Sequence, residues 1–134
     1  MKKRVTGIGG IFFKCNDPEK IKQWYRNHLG FEVDQYGAVF RWIEVDNRDA
    51  EVPAVTAWSP FSEDTKYFAP SSKPYMFNYR VENLNELLEV LVQEGVEVVG
   101  EIEEYPYGKF GWILDPEGNK IELWEPIDTG FDNA

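Results

Sequence analysis

At 134 residues the chain is most simply one domain, large enough for a real core, and five Trp, seven Tyr and nine Phe supply that core. Its 24 acidic against 14 basic side chains leave a net charge of −10. That balance argues against a nucleic-acid partner and against an anionic membrane surface; it is compatible with a neutral or cationic small ligand, or with simple solubility.

The opening "MKKRVTGIGGIFFKC" sets a basic end before a short apolar run, as a secretory leader does, but Lys14 stands where a cleavage site needs a small residue. The run reads as a first strand, and the expected location is the cytoplasm, with no membrane span. Cys15 is the only cysteine, so neither an intramolecular disulfide nor a thiolate metal cluster is available. Asp17 is placed to cap a helix with Pro18 at its first position. Ile21, Trp24, Tyr25 and Leu29 then follow helical spacing up to the stop at Gly30. Three strands are expected next, in "GFEVDQY", "AVFRWIEV" and "AVTAWSP", and then an aperiodic linker, "FSEDTKYFAPSSKP".

The second half repeats the plan. The strand "MFNYRV" leads to Asn83, with Glu86 three residues on as in a capping box. Leu84, Leu87, Leu88, Leu91 and Val92 form an apolar stripe that ends at Gly95. "VEVVGEI", "FGWILD" and "KIELWEP" read as strands, the last two joined by the turn "DPEGN". A constant offset of 66 aligns Gly10 with Met76, Lys14 with Arg80, Thr56 with Glu122, Trp58 with Trp124 and Pro60 with Pro126. The fold class is therefore α+β, with two βαβββ modules in tandem. They form one domain over residues 1–134, with a first module at 5–60, a linker at 61–74 and a second module at 75–127. The sheets are expected to be mixed and cupped, with the helices on the outer face.

From "GIGGIFFKCNDPEKIKQWYRNHLGF" through "EGVEVV" to "DPEGNKIELWEP", the chain resembles the vicinal oxygen chelate superfamily. That family includes glyoxalase I, extradiol dioxygenases, and bleomycin- and fosfomycin-resistance proteins. The resemblance implies paired βαβββ modules, homodimers in many members, and ligand held in the cupped sheets. In metal-dependent members it puts ligands at the positions of Gly10, Thr56, Met76 and Glu122. Only Glu122 suits a hard divalent ion, because Gly10 has no side chain, Met76 offers a thioether and Thr56 a weak neutral oxygen. The lone imidazole, His28, falls on or beside the apolar stripe of the first helix. The expectation is no metal and no cofactor.

Strand alternation turns Gly10, Phe12 and Lys14 inward if Gly10 faces the cup. The same rule turns in Met76, Asn78 and Arg80, then Thr56 and Trp58, then Glu122 and Trp124; of Arg41 and Trp42, either faces inward. Phe12, Trp58, Met76, Asn78, Glu122 and Trp124 are the candidate ligand-binding residues, suited to an aromatic or cationic organic molecule. The same aromatics would also fill a closed core. Glu122 reads as a residual metal ligand, as the base of a lyase or isomerase, or as a fixed acceptor for ligand, the last needing nothing else. "YPYGKFGW" is either a lid over the cup or a turn covering the core edge. No phosphate loop, nucleophile elbow or Ser/His/Asp set occurs. The leading function is binding of a small organic molecule without metal, by a homodimer, with an enzyme using Glu122 as the rival and a partner-binding module with a filled cup as the third reading.

Overall fold

A computed structural model describes residues 3–131, so the first two residues of the leader-like opening and residues 132–134 lie outside the described residues. The elements run β1 (Val5–Cys15), α1 (Pro18–Leu29), β2 (Ala38–Trp42), β3 (Ala54–Ser62), β4 (Tyr75–Val81), α2 (Leu84–Gln93), β5 (Val98–Tyr105), β6 (Gly108–Leu114) and β7 (Lys120–Pro126). Short 3-10 turns occupy Val45–Asn47 and Asp128–Phe131. Among the described residues the strands form one mixed seven-stranded sheet in the order β2-β3-β1-β4-β7-β6-β5. β1 and β4, the opening strands of the two halves, lie antiparallel at its centre. This is the expected α+β architecture, with the halves joined edge to edge within one chain.

Local chemistry fixes both helices. Asp17 accepts from the Lys20 amide at 3.1 Å, Pro18 opens α1, and Gly30 closes it in the left-handed conformation at φ 71°. Asn83 accepts from the Glu86 amide and returns a bond to its carboxylate. Leu84 and Leu88 of α2 meet Val81 and Leu123 in a buried cluster behind the sheet.

The first half departs from the expected pattern in three ways. Residues 31–37 form no strand, so this half is βαββ where the second is βαβββ. Asp34 accepts from the amides of Tyr36 and Gly37, and Gly37 takes φ 143°, a turn that breaks extended pairing. The carbonyls of Asp34 and Gln35 find their partner in Lys22, whose ammonium donates to both at 3.1 Å and also meets Glu19. Consequently α1 buries Lys22 (3% exposed), while Trp24 of the expected apolar stripe is 51% exposed and Leu29 is exposed as well. Lastly, β3 continues through Phe61 and Ser62, into the segment read as linker.

A further departure corrects the repeat itself. In the first half Gly10 lies opposite Ala57, 47 positions on; in the second, Asn78 lies opposite Glu122, 44 positions on. A difference of three is odd, and an odd shift turns every side chain of a strand to the other face. The offset of 66 therefore holds for Gly10 and Met76 but fails in β3, where Thr56 and Trp58 face opposite to Glu122 and Trp124. The inner face carries a second core of Phe12, Val55, Phe68, Met76, Phe110, Trp112 and Trp124.

Candidate functional site

Glu122 sits on β7 between two strands that present donors to it. β4 lies parallel on one side, with Asn78 directly opposite, and β6 antiparallel on the other, with Trp112 opposite. Asn78 Nδ2 donates to Oε1 at 2.6 Å and Trp112 Nε1 donates to Oε2 at 2.8 Å. The third donor comes from the segment after β3, where the Tyr67 hydroxyl donates to Oε2. Tyr67 keeps part of its ring in solvent while its hydroxyl turns inward, and Glu122 is 1% exposed. Lys120 lies outside this group, with Nζ over the rings of Tyr67 and Trp112 and bonded to the Tyr67 carbonyl at 2.7 Å.

Burial pushes the Glu122 carboxyl above the ordinary range, and the hydrogen bonds from Tyr67, Asn78 and Trp112, with the Lys120 charge, oppose the shift without cancelling it. Burial is also the first cause of the raised Tyr67 phenol, reinforced by the Glu122 charge and the hydrogen bond to it. Lys120 is lowered by burial against the pull of Glu122.

Glu122 forms part of the floor of a cavity of about 480 Å³. Phe12, Phe61, Phe110 and Trp124 line its walls, and Phe110 and Trp124 are parallel, with centroids 5.8 Å apart. Tyr36, Tyr105 and Tyr107 line it too, each with an exposed ring, and Tyr105 stacks on Tyr107. "YPYGKFGW" is thus the hairpin between β5 and β6, with its tyrosines at the cavity. At one end Arg80, buried between the rings of Trp42 and Trp124, holds Asp128 in a bidentate pair at 2.7 and 2.8 Å and reaches Glu44 at 3.4 Å. That pair fastens the Asp128–Phe131 turn, whose Gly130 also lines the cavity.

Of the residues singled out in the sequence, Phe12, Asn78, Glu122 and Trp124 line this cavity. Met76 is instead buried in a core cluster with Phe12, Phe110 and Trp124, and it is not among the described lining residues. Trp58 is a correction: it lies on the outer face among Tyr25, Phe31 and Phe13, because β3 runs in the opposite parity, and the inward positions are Ala57, Ser59 and Phe61. Thr56 likewise faces away, donating to the Ile8 carbonyl and accepting from Trp42 Nε1. Lys14 places its ammonium over the Phe68 ring, and His28 packs on Trp24 at the exposed side of α1. Tyr67 is outside the candidate set, as are Phe110 and Trp112, although the last two belong to the stretch "YPYGKFGW". Trp112 was within reach of counting, since the turn "DPEGN" pairs Leu114 with Lys120 and hence Trp112 with Glu122. Tyr67 lies in an aperiodic stretch and carried no such signal.

The donor set does not fit a divalent cation. Three neighbours aim N–H or O–H protons at the Glu122 oxygens, where a cation needs lone pairs. Among the described residues, no three of His, Cys, Asp and Glu come together to hold one.

The family model described as the Glyoxalase/Bleomycin resistance protein/Dioxygenase superfamily matches residues 7–123. The chain is 24% identical over 124 residues to the uncharacterized protein YetH of Bacillus subtilis, covering 90% of this chain and 99% of that one. Among solved structures it is similar to methylmalonyl-CoA epimerase from Mycobacterium tuberculosis, with TM-score 0.63, 20% identity, and coverage of 100% of this chain and 96% of that one. A Streptomyces coelicolor methylmalonyl-CoA epimerase in complex with 2-nitronate-propionyl-CoA gives TM-score 0.66 at 17% identity, covering 90% and 97%. The Mn(II)-bound glyoxalase from Novosphingobium aromaticivorans gives 0.60 at 17% identity, covering 91% of this chain and 39% of that one. At such identities these structures speak to the fold.

Proposed function

Because the chain belongs to the Glyoxalase/Bleomycin resistance protein/Dioxygenase superfamily, we propose that it is a member that binds a small, flat organic molecule without a metal. The observation that carries this reading is the aromatic cavity of about 480 Å³ with one buried carboxylate in its floor, a size and lining suited to a small ligand. Phe12, Phe110 and Trp124 would flank the ring, Asn78 and Glu122 would meet its polar edge, and the tyrosines at 36, 105 and 107 would close over it. Met76 packs in the same buried cluster as Phe12, Phe110 and Trp124. The mismatch between a cation and the three donors around Glu122 supports the metal-free part.

A second reading, an isomerase or lyase using Glu122 as base, is favoured by the raised Glu122 carboxyl and by the likeness to the epimerase fold. Binding ranks first because Glu122 acts as an acceptor with the partners it already has. We further propose a cytoplasmic homodimer. A single free cysteine suits a reducing compartment, and Ile8, Ile11, Tyr75 and Phe77 leave an exposed apolar patch on the outer face of the two central strands.

The test is a melting-temperature screen across compound classes with elemental analysis of the purified protein. Flat organic compounds should raise the melting temperature of a metal-free chain. One tightly held transition metal per chain, lost in Glu122→Gln, would overturn the metal-free reading. Turnover of a bound compound, lost in the same variant, would favour the enzyme.

A further inference from the structure

We propose that the floor of the cup is an acceptor pair, Asn78 Oδ1 beside Glu122 Oε1, built for a flat ligand presenting two adjacent N–H donors, as an amidinium or an aminopyridinium does. The proposal rests on the binding function above and narrows its ligand class.

Counting polar atoms leads to it. An ionised carboxylate offers about four acceptor directions. Among the described residues, Glu122 Oε2 takes two donors, from Tyr67 and Trp112, whereas Oε1 takes Asn78 Nδ2 alone. Asn78 is buried, and its Oδ1 has no hydrogen-bond partner among the described residues. A buried acceptor is ordinarily satisfied, and one that is not marks a place where something outside the chain completes the arrangement. The two incomplete acceptors belong to side chains hydrogen-bonded to each other, so one planar group with two donors can meet both.

Gly9 borders that acceptor closely, and no larger residue fits there. It stands where β1 slips register between Ile8 and Gly10, and it lines the cavity. A Cβ there would lie 2.1 Å from Asn78 Oδ1 and 2.8 Å from Trp124 Cε3. The charges point the same way. Among the described residues of the lining, Glu122 in the floor and Asp34 in the wall are the ionisable carboxylates, and there is no Lys or Arg. Lys120, whose charge acts on Glu122, is engaged by the Tyr67 carbonyl and is not among the described lining residues. The parallel Phe110 and Trp124 rings supply apolar wall for a planar cation.

Four probes sharing one ring test it: benzamidine, benzylamine, benzamide and benzoate, titrated calorimetrically into the full chain while the Trp112 indole N–H is followed by NMR. Benzamidine should bind at least tenfold tighter than benzamide or benzylamine, shift the Trp112 signal, and lose that preference in Glu122→Gln. Asn78→Ala, which removes the amide acceptor while leaving the Glu122 charge, should reduce the preference for benzamidine over benzylamine and keep benzamide binding. Equal binding of benzamidine and benzamide would remove the acceptor pair and leave the aromatic pocket standing. Equal binding of benzylamine would show that charge suffices without paired donors, and would also overturn it. If no flat aromatic compound binds in the wider screen either, the binding function itself falls.

Discussion

Glu122→Gln is expected to stabilise the empty protein at neutral pH. Burial raises this carboxyl despite three hydrogen bonds to its charged form, so the ionised group is less favourable in the fold than in water. The folded chain thus holds the Glu122 proton more tightly than the unfolded chain does. That contribution to stability is fully present below the unfolded pKa and is lost as pH rises through the raised folded pKa. Glutamine removes the titration. Its oxygen accepts from Tyr67 and Trp112, and its amide donates to Asn78 Oδ1 once that amide turns over. Replacing a buried ionic group by a neutral one of like shape ranges from neutral to a gain of about 1–4 kcal/mol. Three charge-assisted bonds become ordinary ones, which offsets part of the gain. The expected net is about 1–2 kcal/mol at pH 8, shrinking as the pH is lowered into the range where Glu122 is protonated, with a melting temperature higher by roughly 3–8 °C. Urea unfolding of wild type and variant at a series of pH values from 4 to 8 measures the difference. A variant less stable by about 1 kcal/mol or more at pH 8 would refute the reasoning, as would a difference that does not change with pH.

Trp58→Ala should cost about 3–5 kcal/mol through its outer-face packing and leave affinity per folded molecule unchanged, whereas Trp124→Ala should weaken binding as well; titration of a bound probe beside urea unfolding separates them. Asp128→Ala leaves Arg80 with Glu44 as its one remaining carboxylate among the described residues and should cost about 2–3 kcal/mol, with faster hydrogen exchange in the 128–131 turn; a loss under 0.5 kcal/mol would show that the bidentate pair contributes little. Phe77→Glu should convert a homodimer to a monomer by light scattering at micromolar concentration, and a wild-type chain already monomeric there would remove the dimer.

The helices were legible because their signals are local. Asp17 with Pro18, Asn83 with Glu86, and Gly30 each act within a few residues. The second half was legible for a related reason: Asp115 folds the turn by accepting from the amides of Glu117 and Asn119, and that fixes the register of β6 on β7. Asn78, Glu122 and Trp124 therefore face the cavity as alternation requires. β3 was misread because its parity is set by pairing with β1 after a connection of nearly forty residues, which no local count constrains. Residues 31–37 have strand-like composition, yet Asp34 and the buried Lys22 supply hydrogen bonds that compete with a ladder. Tyr67 joins the site through tertiary packing alone, from a segment without periodicity.

The odd difference in strand register between the halves means that they cannot exchange parts position for position. A carboxylate grafted at Thr56, the sequence counterpart of Glu122, would emerge on the outer face; the sites in β3 that share the cavity are Ala57 and Ser59. Gly10 meets a separate obstacle, since any Cβ there would come within 2.7 Å of the Phe12 ring, so a new side chain at that point requires a smaller neighbour first. Substitution at position 56 is thus exposed to the packing of Trp42 and the β1 backbone, while change at 57 and 59 is exposed to whatever occupies the cavity. The two halves are in this way free to diverge at matching sequence positions under unrelated constraints.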